Sequence, residues 1–414
     1  MKRNVFGLIG RKLSHSDSAI IHEKFGLSGY TLFEIEPEEI ESFLKRDDLR
    51  AINVTIPYKQ AVIPYLTSLS REAREIESVN TIVFTSDGQR IGHNTDLWGF
   101  IYMAKRAGID LLGKKALVFG SGGASKAAVA ALKKMGARET VVISRSGENN
   151  YENLYLHEDA QILINATPVG MYPNVNGSAV DLSRFPKAAG ALDMVYNPSE
   201  TDFLRQARTL GIPYSNGLSM LVAQAKAAEE HFLSAKIDDI EIERVLDEVN
   251  RIKTNIALIG MPGSGKSAVG KALKALTGRQ IIDIDAEIVA EAGKSIPEIM
   301  AQEGVQAFRD LESKVLARAC LVRGCILITG GGAVLREENR MNLKRNSRTY
   351  RILRDVSLLP RDGRPLSKDA DLNKMLLERE PYYNMAQDFA IDNNGTIEEA
   401  AEKIWRDFCE YSYH

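Results

Sequence analysis

The sequence predicts an α/β protein in which two parallel-sheet units follow one another along the chain, with a further α/β domain ahead of them. Three observations carry this. A short apolar run, Ala116-Leu117-Val118-Phe119, leads into Gly120-Ser121-Gly122-Gly123, and a second, Asn255-Ile256-Ala257-Leu258-Ile259, leads into Gly260-Met261-Pro262-Gly263-Ser264-Gly265-Lys266-Ser267. After each set of glycines apolar residues resume at helical spacing, so both read as strand, tight turn and helix, the opening of a parallel α/β unit. Before Gly113, short apolar runs at 4–9, 30–35, 50–54 and 80–84 alternate with helical patterns and carry no glycine-rich turn. That segment is expected to hold a substrate rather than phosphates.

The bulk numbers fit several globular domains. The chain has 414 residues, 44% hydrophobic and 26% charged, which at roughly 100–200 residues per domain allows each unit its own core. A net charge of −2 argues against a broad basic surface for nucleic acid. The three cysteines, Cys320, Cys325 and Cys409, form no CxxC and no disulfide framework, so buried free thiols in a reducing, cytoplasmic setting are expected. The N-terminal apolar run stops at Ile9, before Arg11-Lys12, too short for a signal segment and suited to a first strand. No run approaches the ~18 apolar residues of a membrane span. Oligomeric state is left open.

The first glycine turn, Gly120-x-Gly122-x-x-Ser125, departs from the dinucleotide fingerprint at its last position. An Ala-rich helix from Ala124 to Met135 follows and stops before Gly136, a plausible C-cap. Small residues allow that helix to pack closely on the sheet and to turn its N-terminus toward a pyrophosphate. The next strand, Thr140–Ile143, ends in Ser144-Arg145-Ser146, where an acid would select a free ribose 2′-hydroxyl. A guanidinium between hydroxyls favours a 2′-phosphate and hence NADP in a Rossmann-type domain. An exposed loop arginine is the plain alternative for Arg145, and nearby Glu148 keeps NAD open.

Gly260-x-x-x-x-Gly265-Lys266-Ser267 is a complete P-loop. Its backbone N–H groups, from Gly260 through Gly263, Ser264, Gly265 and Ala268, can wrap phosphates; Lys266 can reach the β- and γ-phosphates and Ser267 can ligate Mg²⁺. Further on, Ile281-Ile282-Asp283-Ile284-Asp285 reads as a strand whose two acids, at i and i+2, share one side. Ser295-Ile296-Pro297-Glu298 reads as a capping box. Arg309 and Glu312 lie one helical turn apart, either as part of a site or as a plain helical ion pair. Ile326–Thr329 runs into Gly330-Gly331-Gly332, a second turn that opens onto a ligand, and Arg361, Arg364 and Arg379 supply more cations. Between the two units, Ile242, Val245, Leu246 and Val249 recur at helical spacing in a charged stretch, read as an amphipathic connecting helix over 237–253 that is largely solvated.

The N-terminal half resembles the shikimate dehydrogenase family. The resemblance rests on Leu13-Ser14-His15-Ser16, Asn53-Val54-Thr55-Ile56-Pro57-Tyr58-Lys59, Ser78-Val79-Asn80-Thr81 and Gly92-His93-Asn94-Thr95-Asp96, then on Asn165-Ala166-Thr167-Pro168-Val169-Gly170-Met171, Asp193-Met194-Val195-Tyr196-Asn197-Pro198 and Gly217–Ala225. It implies that Lys59 and Asp96 flank the 3-oxygen of 3-dehydroshikimate. Ser14, Ser16, Asn53, Thr55, Asn80, Tyr196 and Gln224 would bind the substrate. NADP would lie on Gly120, Ser121, Gly122, Gly123, Ala124, Ser144, Arg145, Ser146, Thr167, Met194 and Gly217. By local pattern alone, Lys59 reads more readily as a solvated loop lysine and Asp96 as a helix cap; His15 and His93 receive no chemistry. From Arg145 to Ile162 the chain is shorter than the family pattern, so a helix and a strand edge of the cofactor domain are expected to be reduced.

The C-terminal segment, about 254–409, resembles shikimate kinase, a P-loop fold like that of nucleoside monophosphate kinases with a parallel sheet. The resemblance implies that Asp283 holds the Mg²⁺ shell with Ser267, and that Asp285 binds substrate hydroxyls and acts as base. Arg309 and Arg379 would clamp a carboxylate, and Gly330–Gly332 would contact the substrate. Arg364 would stabilise the transferring phosphoryl group, with Lys266 on the phosphates and Arg361 near the adenine. A shortened lid, Asp355–Asp371, is expected to close less fully over ATP. The expected layout is a substrate domain at 1–100 completed by 217–236, an NADP domain at 101–216, the helix at 237–253 and a kinase domain at 254–414. Together the two resemblances imply a bifunctional enzyme with NADP(H), ATP and Mg²⁺ as cofactors and small-molecule substrates. The alternatives are a nucleotide-sensing module in place of the kinase, a kinase for another polyol, and quinate oxidation with NAD.

Overall fold

The computed structural model describes residues 4–14, 16–359 and 371–411. The chain divides into two compact units, 1–249 and 250–413.

In the first unit the order is β1 (Val5–Gly10), α1 (Ser18–Lys24), β2 (Tyr30–Glu34), α2 (Ile40–Leu44), β3 (Leu49–Val54), β4 (Ser68–Leu69), α3 (Arg71–Ile76), β5 (Thr81–Phe84), β6 (Arg90–His93) and α4 (Asp96–Arg106). The strands form one six-stranded sheet in the order β2-β1-β3-β5-β6-β4. Strands β1, β2 and β3 are parallel, while β5 runs antiparallel to β3 and β6. The four strands expected before Gly113 are all present; β4 and β6 are additional, too short or too polar to show in an apolar pattern.

A second sheet follows from β7 (Lys115–Phe119), α5 (Gly123–Lys134), β8 (Glu139–Ile143), β9 (Ile162–Asn165), β10 (Gly190–Asp193), α6 (Asp202–Thr209) and β11 (Tyr214–Ser215). It is wholly parallel, in the order β11-β10-β9-β7-β8. The chain order reverses between β7 and β9, so the ends of those strands form the crevice where a ligand sits in such sheets. Between β8 and β9 there is one 3₁₀ turn, Leu154–His157, in place of a full crossover helix, as the short segment from Arg145 implied.

Then α7 (Leu218–Leu233) and α8 (Ile240–Lys253) complete the unit. Here the structure departs from the solvated connector expected at 237–253. The stripe Ile242, Val245, Leu246 and Val249 is buried with Ile21, Leu218 and Val222, and Tyr102 and Arg106 bond Glu243. Four apolar residues on one face stabilise more when covered than when wet, so most of the helix is core of the first unit, and the division falls inside it at 249/250.

The second unit contains β12 (Asn255–Ile259), α9 (Lys266–Thr277), β13 (Ile281–Asp283), α10 (Ile284–Ala292), α11 (Ile296–Ala319), β14 (Ile326–Ile328), α12 (Glu337–Asn346), β15 (Ser347–Leu353), α13 (Leu372–Ala386), β16 (Phe389–Asp392) and α14 (Ile397–Glu410). Its sheet is parallel, in the order β13-β14-β12-β15-β16. Helix α11 starts on the expected capping box of Ser295 and Glu298.

One expectation fails in this unit. Asp283 and Asp285 do not lie on one side of a strand: β13 ends at Asp283, and Asp285 is in the first turn of α10. Asp283 Oδ1 accepts from the backbone N–H of Asp285 (3.1 Å) and Ala286 (3.4 Å), so the acid caps the helix and stops the strand. Cys320 and Cys325 are buried and Cys409 is half-buried, all free. Among the described residues no helix is long and apolar enough to cross a membrane.

Candidate active sites

Four elements of the first unit converge on one polar cluster. Lys59 follows β3, and its Nζ lies 2.6 Å from Asp96 Oδ2 at the start of α4. The side chains are 16% and 7% exposed, so the pair is held away from most solvent screening. Asn80, leading into β5, places its Nδ2 2.9 Å from Asp96 Oδ1, 2.9 Å from Thr95 Oγ1 and 3.3 Å from Gln224 Oε1 on α7. Its Oδ1 accepts from the Thr95 N–H at 2.8 Å, fixing the amide's orientation. Helix α7 comes this close because Gly99 on α4 leaves room for Met220 and Gln224. Chemically, this is an ammonium beside a carboxylate whose other oxygen is pinned, an arrangement suited to giving and recovering a proton.

The dinucleotide turn adjoins this cluster. Gly120 has φ +108°, and a Cβ there would stand 2.9 Å from Ala166 O and 3.1 Å from Thr167 Cγ2. The turn therefore meets the end of β9 in the β7/β9 crevice. A Cβ on Gly123, the first residue of α5, would stand 3.4 Å from Ser78 Oγ and 3.7 Å from Lys59 Cδ. Gly122 and Gly123 thus bring a helix N-terminus toward the Lys59–Asp96 pair, with open space over Gly122. Ser125, in place of the third glycine, is buried, small enough for the close helix–sheet packing of that position. Ser121 and Ala124 complete the turn, and Arg145 and Ser146 are exposed just past β8 with Ser144 half-buried. These features fit a dinucleotide whose pyrophosphate lies on the turn.

In the second unit the P-loop runs from β12 into α9. Lys266 Nζ bonds the carbonyls of Gly260 (2.9 Å) and Met261 (3.0 Å). Gly265 adopts φ +98° and packs under Asn393, whose Nδ2 donates to Ser264 O at 2.7 Å. Ser264 Oγ is buried without a protein partner, and Ser267 is exposed at the start of α9. An orphaned hydroxyl inside a glycine cradle fits a phosphate-bearing ligand. Asp283 and Ser267 offer hard oxygens near the loop, and among the described residues no group of three or more His, Cys, Asp or Glu could hold a metal. Such a donor set fits Mg²⁺ carried largely by phosphates.

Facing the loop is a second cluster. A Cβ on Gly330 would stand 2.7 Å from Glu312 Oε1 and 3.0 Å from Asp285 Oδ1. Burial, then the neighbouring Asp283 charge, pushes the Asp285 carboxyl up; Lys266 and Arg309 oppose the shift. Burial likewise raises Glu312, against the pull of Arg309, whose Nη1 lies 2.5 Å from Glu312 Oε2. Gly332 is packed under the Arg309 guanidinium, and Gly331 O accepts from Arg379 Nη1 (3.0 Å) and Tyr383 Oη (2.6 Å). A carboxylate of raised basicity between two arginines and a phosphate loop suits removal of a proton from a hydroxyl of an acidic substrate.

Residues 8–82 match the family model described as the shikimate dehydrogenase substrate binding domain, and residues 262–408 match shikimate kinase. A shikimate dehydrogenase (NADP(+)) of Clostridium perfringens (strain SM101 / Type A) is 39% identical over 267 residues, spanning 59% of this chain and 98% of the relative. The chain belongs to the shikimate dehydrogenase family. The crystal structure of shikimate dehydrogenase 1 from Peptoclostridium difficile is similar at 39% identity and a TM-score of 0.55, covering 59% of this chain and 97% of that one. That of shikimate 5-dehydrogenase from Thermus thermophilus in complex with NADP(H) and shikimate is 31% identical, with a TM-score of 0.52 and coverages of 60% and 99%. The C-terminal part of the chain carries a shikimate kinase domain.

In the first unit, the structure brings Lys59, Asn80, Asp96 and Gln224 together. Ser14 is exposed, while the Ser16 hydroxyl bonds Ser18 Oγ at 3.1 Å. Gly10 is packed between Thr55 and Leu13, the residue before Ser14. Asn53 is engaged by protein: its Oδ1 accepts from Tyr30 Oη (2.7 Å) and its Nδ2 reaches Asn80 O and Thr81 Oγ1 (both 3.2 Å). It therefore braces Asn80, and Tyr30 braces it, a link between residues 23 apart with no local sequence signal. Tyr196 packs beside the α7–α8 cluster, and Met194 O lies against Gly217. In the kinase domain Tyr383 and Glu312 join the site, while Arg361 and Arg364 lie outside the described residues.

Proposed function

We propose that this chain performs two consecutive reactions: NADPH-dependent reduction of 3-dehydroshikimate to shikimate, then ATP- and Mg²⁺-dependent phosphorylation of shikimate to shikimate 3-phosphate. The observation that carries the first step is the 2.6 Å Lys59–Asp96 pair beside the Gly123 end of the dinucleotide turn. When bound, the cofactors supply a hydride to the keto carbon and a phosphoryl group to the 3-hydroxyl. Lys59 gives a proton to the alkoxide that develops at the 3-oxygen and takes it back in the reverse direction, while Asp96 orients the ammonium. Asn80 holds Asp96 in place; Gln224, Thr55 and the serines at 14 and 16 bind the hydroxyls and carboxylate. Arg145, between Ser144 and Ser146, favours the 2′-phosphate of NADP.

In the kinase, Asp285 takes the proton from the substrate hydroxyl, helped by its raised basicity. Arg309 and Arg379 hold the carboxylate, Lys266 the transferring phosphates, and Asp283 with Ser267 the Mg²⁺. The resemblance to shikimate kinase assigns the phosphoryl charge to Arg364 and the adenine to Arg361, both outside the described residues. Most of the acceleration comes from positioning and charge stabilisation.

The test is NADPH formation from shikimate with NADP⁺ against NAD⁺, beside ADP release with and without shikimate. Faster turnover with NAD⁺ and quinate would replace the first assignment. ATP turnover indifferent to shikimate would replace the second.

A further inference from the structure

Asp193, the last residue of β10, is fully buried and takes no part in the proton transfer described above. Its carboxylate accepts three hydrogen bonds from three places in the cofactor domain. Oδ1 accepts from Asn165 Nδ2 (3.0 Å) at the end of β9 and from the Val195 N–H (2.9 Å). Oδ2 accepts from Thr201 Oγ1 (2.6 Å), the N-cap of α6. None of the three donors is charged. Burial resists ionisation of the carboxyl and these bonds offset that only in part, which leaves it pushed up to about 7.

The bond from Asn165 fixes which way its amide points. With Nδ2 on Asp193, Asn165 Oδ1 faces the other way and accepts from the Thr167 N–H (3.0 Å) and hydroxyl (2.6 Å). Thr167 in turn packs against Gly120, the tight residue of the dinucleotide turn. On the other side, the Met194 N–H bonds Asn165 O at 2.9 Å, and the Gly217 N–H bonds Val195 O at 3.0 Å. The turn after β9 and the chain after β10 thus share one buried acceptor.

We propose that Asp193 is a positioning residue for the dinucleotide site, holding Thr167 against the Gly120 turn through Asn165 and fixing the chain at Met194. This rests on the reading of that turn as the NADP site. Either protonation state can serve. A neutral carboxyl keeps one oxygen as acceptor for Asn165 and Val195 and turns its O–H to the Thr201 hydroxyl, which rotates to accept. An asparagine reproduces that neutral arrangement, whereas an alanine leaves the Asn165 Nδ2 only the longer bond to Val169 O (3.3 Å), so the hold on Thr167 is loosened.

The experiment is steady-state shikimate oxidation by the full chain carrying Asp193→Asn or Asp193→Ala. Asp193→Ala should raise KM for NADP⁺ roughly tenfold, as loss of one or two net hydrogen bonds implies, with KM for shikimate within about twofold. Asp193→Asn should restore KM for NADP⁺ to within about threefold of wild type. An unchanged KM for NADP⁺ in the alanine variant, or an equal rise in both KM values, overturns the proposal. If Asp193→Ala does not fold, Asn165→Ala decides: it removes the Thr167 acceptor but leaves Asp193 bonded to Val195 and Thr201. The same selective rise is expected, and an unchanged KM for NADP⁺ overturns the idea. Wild-type protein that uses neither NADP⁺ nor NAD⁺ would instead sink the dinucleotide assignment itself.

Discussion

Replacing Lys59 by methionine keeps most of the side-chain volume and removes the ammonium. Its Nζ is 2.6 Å from Asp96 Oδ2, and the other carboxylate oxygen is 2.9 Å from Asn80 Nδ2. The variant therefore leaves a largely buried carboxylate with one amide donor and no cation. Two consequences separate on their magnitudes. A structural ion pair that loses one partner in a buried setting costs about 3–5 kcal/mol of stability, and less where one end still reaches water. A proton donor that is lost costs about 10²–10⁴ in rate, or about 3–5 kcal/mol of barrier, with no demand on substrate affinity. The assay is NADPH formation from shikimate at 340 nm, with thermal denaturation alongside. The expected result is a kcat lowered by about 10²–10⁴, with KM for NADP⁺ changed by less than about threefold. Asp96→Asn, which keeps shape and the Asn80 contact, should fall in the same direction. A Lys59→Met variant that is destabilised yet keeps more than about a tenth of wild-type kcat would refute a proton-transfer role and leave the pair a brace.

Three further expectations test other parts of the molecule. Gly265→Ala places a Cβ against Asn393 at a residue with φ +98°, so the P-loop must shift; ATP binding should weaken by about tenfold or more, read by ADP release, while shikimate oxidation is retained. Leu246→Ala opens a cavity under α8, where Leu246 is buried with Val245 and Val249; it should cost about 2–5 kcal/mol in denaturant unfolding of the first unit, and a change within about 0.5 kcal/mol would restore the solvated-linker reading. His93 stacks on His231 with ring centroids 3.9 Å apart, and burial, then His231, pushes it down to about 4. Its folded-state value lies below its unfolded one, so this contribution to stability is complete above about pH 6.5 and lost as pH falls through about 4. His93→Gln should flatten the fall in melting temperature across that window relative to wild type, and an unaltered slope would count against the pair as its source.

Much of the fold could be read locally, and the exceptions share a cause. The two strand-turn-helix openings announce themselves because a parallel unit needs glycine where backbone meets phosphate, and the Ser295 capping box because its two bonds span four residues. The Asp283-Ile284-Asp285 stretch misled because alternation favours a strand, while an aspartate can equally end one; the two backbone N–H groups it caps decide the matter. Helix α8 lies where its spacing places it, but its charge hid a buried face whose partners lie on α1 and α7. The candidate sites divide in the same way. Lys266 and Ser267 follow from a contiguous motif. Lys59, Asn80, Asp96 and Gln224 come from separate elements, with Asn80 and Gln224 144 residues apart, and no periodicity links them; family resemblance named them before geometry joined them. Tyr30 and Tyr383 gave no pattern that marked them as part of a site, since each works through one long-range hydrogen bond.

The most direct measurement is a single incubation of the full chain with 3-dehydroshikimate, NADPH, ATP and Mg²⁺, analysed by mass spectrometry beside samples that omit one component each. The expected result is shikimate 3-phosphate that requires both NADPH and ATP, with shikimate accumulating when ATP alone is left out. Shikimate that accumulates without phosphorylation in the complete mixture would contradict the two-step function and leave the C-terminal domain without its proposed substrate.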